Sequence, residues 1–404
     1  MGCFKIFKKN PMNKISSIVS VLLLLMFFSC SSEKSMDKVI DESLSFAVSQ
    51  YSLLADVMKE KPDLLPRTID AEGNLVTAKS GWWTSGFFPG SLWYLYEYSA
   101  NENLKNAAIQ MTSRVEREKN NRGTHDLGFM LYCSSGNGLR LTGDAGYQDV
   151  LLTGAQSLIT RYRPNIGCIQ SWNSRREWQC PVIVDNMMNL EFLMWAFRIS
   201  GDSTYFRICV NHSDTTIKNH YRPDYSSYHV VSYDTITGRV EVKQTHQGAA
   251  DESAWSRGQS WGLYGYVVMY RETGLERYLN HAVNIADFLI GHKNMPEDMI
   301  PYWDFDAPGI PDAKRDASAG AIMASALIEL SGYVDSPLRE KYLQVAEKQL
   351  RSLASPSYRA EPGENGNFIL KHSVGSIPGN SEVDVPLTYA DYYFIEALLR
   401  FRNL

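Results

Sequence analysis

A short connector recurs along this chain and limits what the chain can fold into. The stretches LTGDAGY (141–147), ISGDSTY (199–205) and ETGLERY (272–278) share one plan. A glycine just past a helix C-terminus supplies the left-handed backbone that ends the helix, and an Asp or its neighbour caps the next one. The tyrosine then packs where that next helix begins. Looser copies stand at SANEN (99–103) and LSGYVD (330–335). Gly143, Gly201, Gly274 and Gly332 lie 58, 73 and 58 residues apart, a helical-hairpin repeat of the kind that builds a solenoid or a closed toroid.

From Val39 onward the sequence is helix-periodic. Helices with one charged face, such as 104–117 and 340–353, alternate with more apolar helices that start near Phe87, Asp126, Asp185, Ser253, Asp316 and Tyr389. Six apolar helices with six amphipathic partners, the first over 39–59, predict twelve helices in two concentric rings. Residues 228–243 read as an inserted β-hairpin, with VVSY and RVEV flanking the turn Asp234 to Gly238. The tight turns must all lie at one end of such a barrel and the long loops at the other. Trp82, Trp83, His125, Asp126, Asp185, Gln247 and Trp261 therefore converge on one mouth.

The N-terminus reads as a targeting segment apart from the fold. Lys5, Lys8, Lys9 and Lys14 precede an apolar run, 15–28, that is too short to span a bilayer comfortably. The run ends at Ser29-Cys30, so residues 1–29 are expected to be a signal segment of lipoprotein type, with Cys30 lipidated and residues 30–404 one catalytic domain. Ordinary cleavage without lipid is the competing reading. Removing four lysines and no acid moves the net charge from −5 to −9, which leaves no broad attraction for nucleic acid or a long polyanion. Export to the periplasm or outer membrane is the expected location, with membrane contact only through the lipid. Cys133, Cys168, Cys180 and Cys209 show no metal spacing and are expected as buried free thiols.

Asp185, in VIVDNMMNLEFL, stands between an apolar entry and a helix carrying Met188, Phe192, Trp195 and Ile199 at spacings of three and four. An Asp at a helix start is by default an N-cap. A second acidic start, Asp126 in HDLGFMLY, supplies the partner that paired-carboxylate chemistry on a glycoside requires. Asp185 has the more apolar sequence neighbours, so burial should keep it protonated as the proton donor, while Asp126 beside His125 stays ionised and takes hydrogen bonds from hydroxyls. Arg257 and Trp261 are four apart on one helix face, a guanidinium fork beside an indole. Their bland reading is an ion pair and a core indole. Met187 and Met188 read as packing. No P-loop, dinucleotide fingerprint or HExxH occurs, and the acidic loop of Asp304, Asp306, Asp312 and Asp316 lacks EF-hand spacing, so neither cofactor nor metal is expected.

Six ordered segments, GWWTSGFFPGSLWYLYE, THDLGFMLY, VIVDNMMNLE, ADESAWSRGQSWGLYG, DASAGAI and ADYYFIEALLR, together resemble the family-88 glycoside hydrolases, the unsaturated glucuronyl hydrolases. The resemblance implies an all-α (α/α)6 barrel and a substrate that is an unsaturated uronate di- or oligosaccharide left by a polysaccharide lyase. It implies hydration of the C4=C5 double bond, with Asp185 as general acid/base and Asp126 positioning ring hydroxyls. It also implies that His229, Gln247, Arg257 and Trp261 line the uronate subsite, with His125 beside Asp126 and Trp83 near the entrance. Some members bind a sulfate through Ser and Lys before the last helix. Here that stretch, HSVGSIPGNSEVDVPLTYAD (372–391), has Ser376 and Ser381 but no lysine after Lys371. The related unsaturated rhamnogalacturonyl hydrolases, or a noncatalytic lipid-anchored glycan-binding protein, are the alternatives. A terpene-cyclase-like toroid lacks its acidic cluster here.

Overall fold

The computed structural model describes residues 1–6, 34–175 and 177–404. The apolar run and Cys30 of the expected export segment lie outside the described residues.

The first helix, α1 (Met36–Lys59), shows how an outer helix is specified: Ile40, Leu44, Ala47, Tyr51, Leu54 and Met58 form one buried stripe at spacings of three and four. Its partner α2 (Phe87–Ser99) buries nearly every residue of its first half. The alternation then repeats, with outer helices α3 (Glu102–Val115), α5 (Ala145–Ile159), α7 (Ser203–His220), α9 (Glu276–Gly291) and α11 (Leu338–Leu353). Inner helices are the π-helical Gly128–Gly136 running into α4 (Asn137–Thr142), then α6 (Leu190–Ser200), α8 (Ser256–Thr273), α10 (Ala317–Ser331) and α12 (Thr388–Arg402). Inner neighbours touch in chain order and α12 packs back on α2, so the inner ring closes, and α11 reaches α1 outside it. The molecule is an (α/α)6 barrel. α10 is small-residue rich, with Ala, Ser and Gly at most positions, which lets it sit buried between α8 and α12.

The connectors work as the sequence implies at three sites. Gly143, Gly201 and Gly274 take φ of 70°, 73° and 65°, and Asp144 and Asp202 accept hydrogen bonds from Gly146 and Thr204 amides. Gly332 is a correction: its φ is −74°, because the chain continues through Tyr333 to Pro337 before α11 starts and needs no immediate reversal. Ala100 takes the left-handed position (φ 52°) ahead of the Asn101 cap. Every inner helix therefore starts at the long-loop end and finishes at the tight-turn end. Ile199, expected on the apolar face of α6, is 47% exposed.

Short sheets thicken the long loops: β1 (Leu64–Ile69) with β2 (Leu75–Lys79), β3 (Tyr162–Arg163) with β4 (Cys168–Ile169), and a three-stranded sheet of β5 (Pro181–Ile183), β6 (Val230–Tyr233) and β7 (Val240–Gln244). The expected hairpin is thus joined by a third strand, from the apolar entry to Asp185. A last pair, β8 (Ser373–Ser376) and β9 (Ser381–Val385), precedes α12. Cys133, Cys168, Cys180 and Cys209 are buried free thiols.

Candidate active site

The six inner-helix starts bring the chemistry-bearing side chains to one mouth. Trp83 precedes α2, His125 and Asp126 precede the π-helical turn, and Asp185 lies in a 3-10 turn (Val184–Asn189) that leads into α6. Trp255 and Arg257 open α8, Asp316 caps α10, and Tyr389 sits in the first turn of α12. Six helix N-termini so gathered carry partial positive charge, a setting that favours an anionic group.

Asp185 caps nothing: Ile183 holds the N-cap position of its turn, with no side-chain cap bond. Its Oδ2 is buried without a hydrogen-bond partner among the described residues, with His229 Nε2 3.6 Å away. Burial raises its pKa from 3.8 to about 7. Arg257 and its own backbone amide oppose the shift, and the negative charge of Asp126 adds to it. A carboxyl with one oxygen left uncommitted, half-protonated near neutrality, is suited to donate a proton.

Asp126 is built differently. Its Oδ2 accepts from the Thr124 hydroxyl at 2.5 Å, its Oδ1 lies 3.2 Å from His125 Nε2, and its side chain is 18% exposed. Burial lowers the pKa of His125, so this neighbour is a neutral imidazole at pH 7. What holds the two acidic turns together is a glycine. Gly128 donates its amide to Asn189 Oδ1 (2.8 Å), and a Cβ there would stand 2.6 Å from Oδ1 and 2.9 Å from Cα of Asn189. Asn189 in turn donates to Asn186, and Asn186 to the Ile169 carbonyl. Gly128→Ala should push the Asp126 turn off the Asp185 turn and lower kcat/KM by about ten- to a hundredfold. Steady-state kinetics with a circular dichroism spectrum unchanged from wild type would show it, and unaltered kinetics would remove this contact from the site's design.

His229 Nδ1 accepts the amides of His246 (3.2 Å) and Gln247 (3.1 Å), so the ring hydrogen sits on Nε2, facing Asp185. Burial holds its pKa well below 6.5, and its ring lies on Trp255 with centroids 4.4 Å apart. Gln247 Nε2 donates to the Gly375 carbonyl (2.9 Å). Arg257 is 1% exposed and lies between the Trp255 and Tyr389 rings. Its Nη1 bonds Asp316 Oδ2 (3.1 Å) and the Val374 carbonyl, and its Nη2 bonds Gly375 (2.8 Å). Its fork is thus largely engaged within the protein, and Nε has no partner among the described residues. Trp261 is 0% exposed, with Phe129 and Tyr393 against its ring, which makes it the floor beneath the mouth. Trp83 is half-buried at the mouth against Tyr389, Phe129 and Phe87.

Sequence reasoning gave no site role to Trp255, Asp316, Asn186, Asn189 or Tyr389, although it marked Asp316 and Tyr389 as inner-helix starts. Trp255 had a signal, two residues before Arg257 in the same run. The others are polar or aromatic residues whose roles depend on partners far away in the chain. Asp304 and Asp306 accept amides of 249–254 and brace that loop.

The Glycosyl Hydrolase Family 88 model matches residues 57–398. The unsaturated glucuronyl hydrolase of Formosa agariphila is 43% identical over 403 residues, covering 97% of this chain and 99% of the relative. The unsaturated chondroitin disaccharide hydrolase of Streptococcus agalactiae is 33% identical, covering 79% of this chain and 81% of the relative. Among solved structures, an unsaturated glucuronyl hydrolase specific for heparin superposes with a TM-score of 0.88 at 47% identity, covering 91% of this chain and 98% of that one.

Proposed function

We propose that this chain, which belongs to glycosyl hydrolase family 88, hydrolyses unsaturated glucuronyl oligosaccharides by adding water across the C4=C5 double bond of the uronate. The observation that carries this reading is the uncommitted, buried carboxyl of Asp185, with a pKa of about 7, facing the more exposed Asp126. Asp185 gives its proton to C4, and positive charge develops at C5 and the ring oxygen. Water adds to C5 and loses a proton to the Asp185 carboxylate, which restores the acid. The C5 hemiketal then opens by breaking its bond to the ring oxygen, and the resulting C1 hemiacetal releases the leaving sugar as an alcohol. Asp126 holds ring hydroxyls, and Arg257 with six helix N-termini favours the substrate carboxylate at the mouth.

The test is a panel of lyase-generated disaccharides followed by loss of the double bond's ultraviolet absorbance. Turnover of glucuronyl-hexosamine disaccharides well above a rhamnose-linked one supports the reading. The reverse order supports the rhamnogalacturonyl alternative, and binding without turnover supports a noncatalytic receptor. The β8–β9 hairpin favours leaving sugars without a sulfate directed at it. Arg67 is held by Glu382 and Ser381, and Lys314 by Asp384, so these two cations are already paired.

Because Asp185 acts first as an acid, kcat/KM should fall as pH rises through about 7, where the free enzyme loses that proton. A profile flat from slightly acidic to alkaline pH would contradict the assignment.

Export as a lipoprotein rests on the basic start, the short apolar run and Cys30. Cys30→Ser should move the protein from the membrane to the soluble fraction; an unchanged distribution would remove the lipid.

A further inference from the structure

The tight-turn end of the barrel holds a cavity of about 490 Å³, on the far side of Trp261 and Phe129 from the mouth. It reaches up between α4, α6, α8 and α12 as far as Gly128 and Met188, just beneath the turns that carry Asp126 and Asp185. That volume lies within the range of small-ligand sites and accommodates one or two pyranose rings.

Its electrostatics are the reverse of those at the mouth. All six inner helices end here, so their partial negative charges converge on it. The ionised side chains do not cancel this. Arg271 bonds Glu191, Glu272 and Glu329, Arg400 bonds Glu329 and Glu396, Arg198 bonds Glu272, and at the rim Arg140 holds both oxygens of Glu97. This network sets five carboxylates against four guanidiniums, one negative charge in excess. The excess has a location. Glu396 is saturated by Tyr94, Tyr264 and Ser325 hydroxyls. Among the described residues Glu191 is held through Oε1 only, and it lines the cavity next to Tyr132 and Trp195, whose rings lie 6.2 Å apart.

We propose that this cavity at the tight-turn end is a second binding site, selective for a small amine-bearing sugar, with the ammonium group at Glu191 Oε2 and the Tyr132 and Trp195 rings beside it. A carboxylate next to aromatic faces is the chemistry that recognises an ammonium group. Both guanidiniums that line the cavity, Arg140 and Arg400, are committed to carboxylates, so among the described residues an anionic sugar finds no uncommitted cation there. The site is distinct from the mouth and does not depend on the proposed reaction.

Isothermal titration of the full chain carrying Asp185→Asn, in mildly acidic buffer, separates binding from catalysis. Glucosamine should bind with one saturable site, at least about tenfold tighter than glucose, with no binding of glucuronate here. Adding Glu191→Gln should erase the preference for the amine. Adding Leu139→Trp, which fills the cavity, should abolish binding, and either change made alone in the otherwise native chain should leave turnover within about twofold. Absence of glucosamine binding, equal affinity for glucose, or binding that survives Leu139→Trp but is lost with Asp126→Asn overturns the proposal. The last result would place the sugar at the mouth.

Discussion

Asp185→Asn is expected to lower kcat by about 10³-fold or more, the range removed with a general acid/base, in a protein that folds as before. Asparagine reproduces the shape of the side chain, and no helix cap or ion pair is lost, because Asp185 makes neither a cap bond nor a hydrogen bond through Oδ2. The same substitution should stabilise the fold. A carboxyl whose pKa rises from 3.8 to about 7 on folding is a group the folded protein prefers neutral. Its stabilising proton is fully bound below the unfolded pKa and is lost as pH rises through about 7. Above that, the buried charge costs up to about 4 kcal/mol. The melting temperature of Asp185→Asn should therefore exceed that of wild type by more at about pH 8 than at about pH 5. An inactive variant that is also destabilised at the higher pH would show Asp185 to be a structural residue. Full activity would remove it from the mechanism.

Asp126→Asn should lower kcat/KM by about a hundredfold and also move the alkaline limb of the pH profile. The charge of Asp126 is one cause of the raised pKa of Asp185, so removing it lets Asp185 ionise earlier, and the limb shifts to lower pH. Because Asp126 holds ring hydroxyls, part of the loss should appear in KM. A loss confined to kcat with an unmoved limb would mean that the two carboxyls do not feel each other.

The connectors made the barrel legible. Three left-handed glycines and the Asp caps after two of them are local devices whose signal lies within seven residues, and they turn the chain back after three of the inner helices. Asp126 and Asp185 were legible as paired acidic starts for the same reason. What escaped depends on partners distant in sequence. The fork of Arg257 meets Asp316 and the carbonyls of β8, 59 and more than a hundred residues away, and the register that brings them together is set by ring closure, which no local pattern encodes. Trp261 shares a helix face with Arg257, yet only the position of Phe129 decides that its ring is floor and not wall. The Asn186–Asn189 pair lay inside an apolar run, where two amides read as interruptions of a stripe, not as the clasp between two turns.

Proton delivery to C4 is the step on which everything at the mouth depends, and turnover in D2O reads it directly. Product sampled by NMR during the reaction, against preformed product held in D2O, should carry one solvent deuteron at C4 from the first turnover. Product that forms with no deuterium at C4 would contradict hydration of the double bond and the role of Asp185.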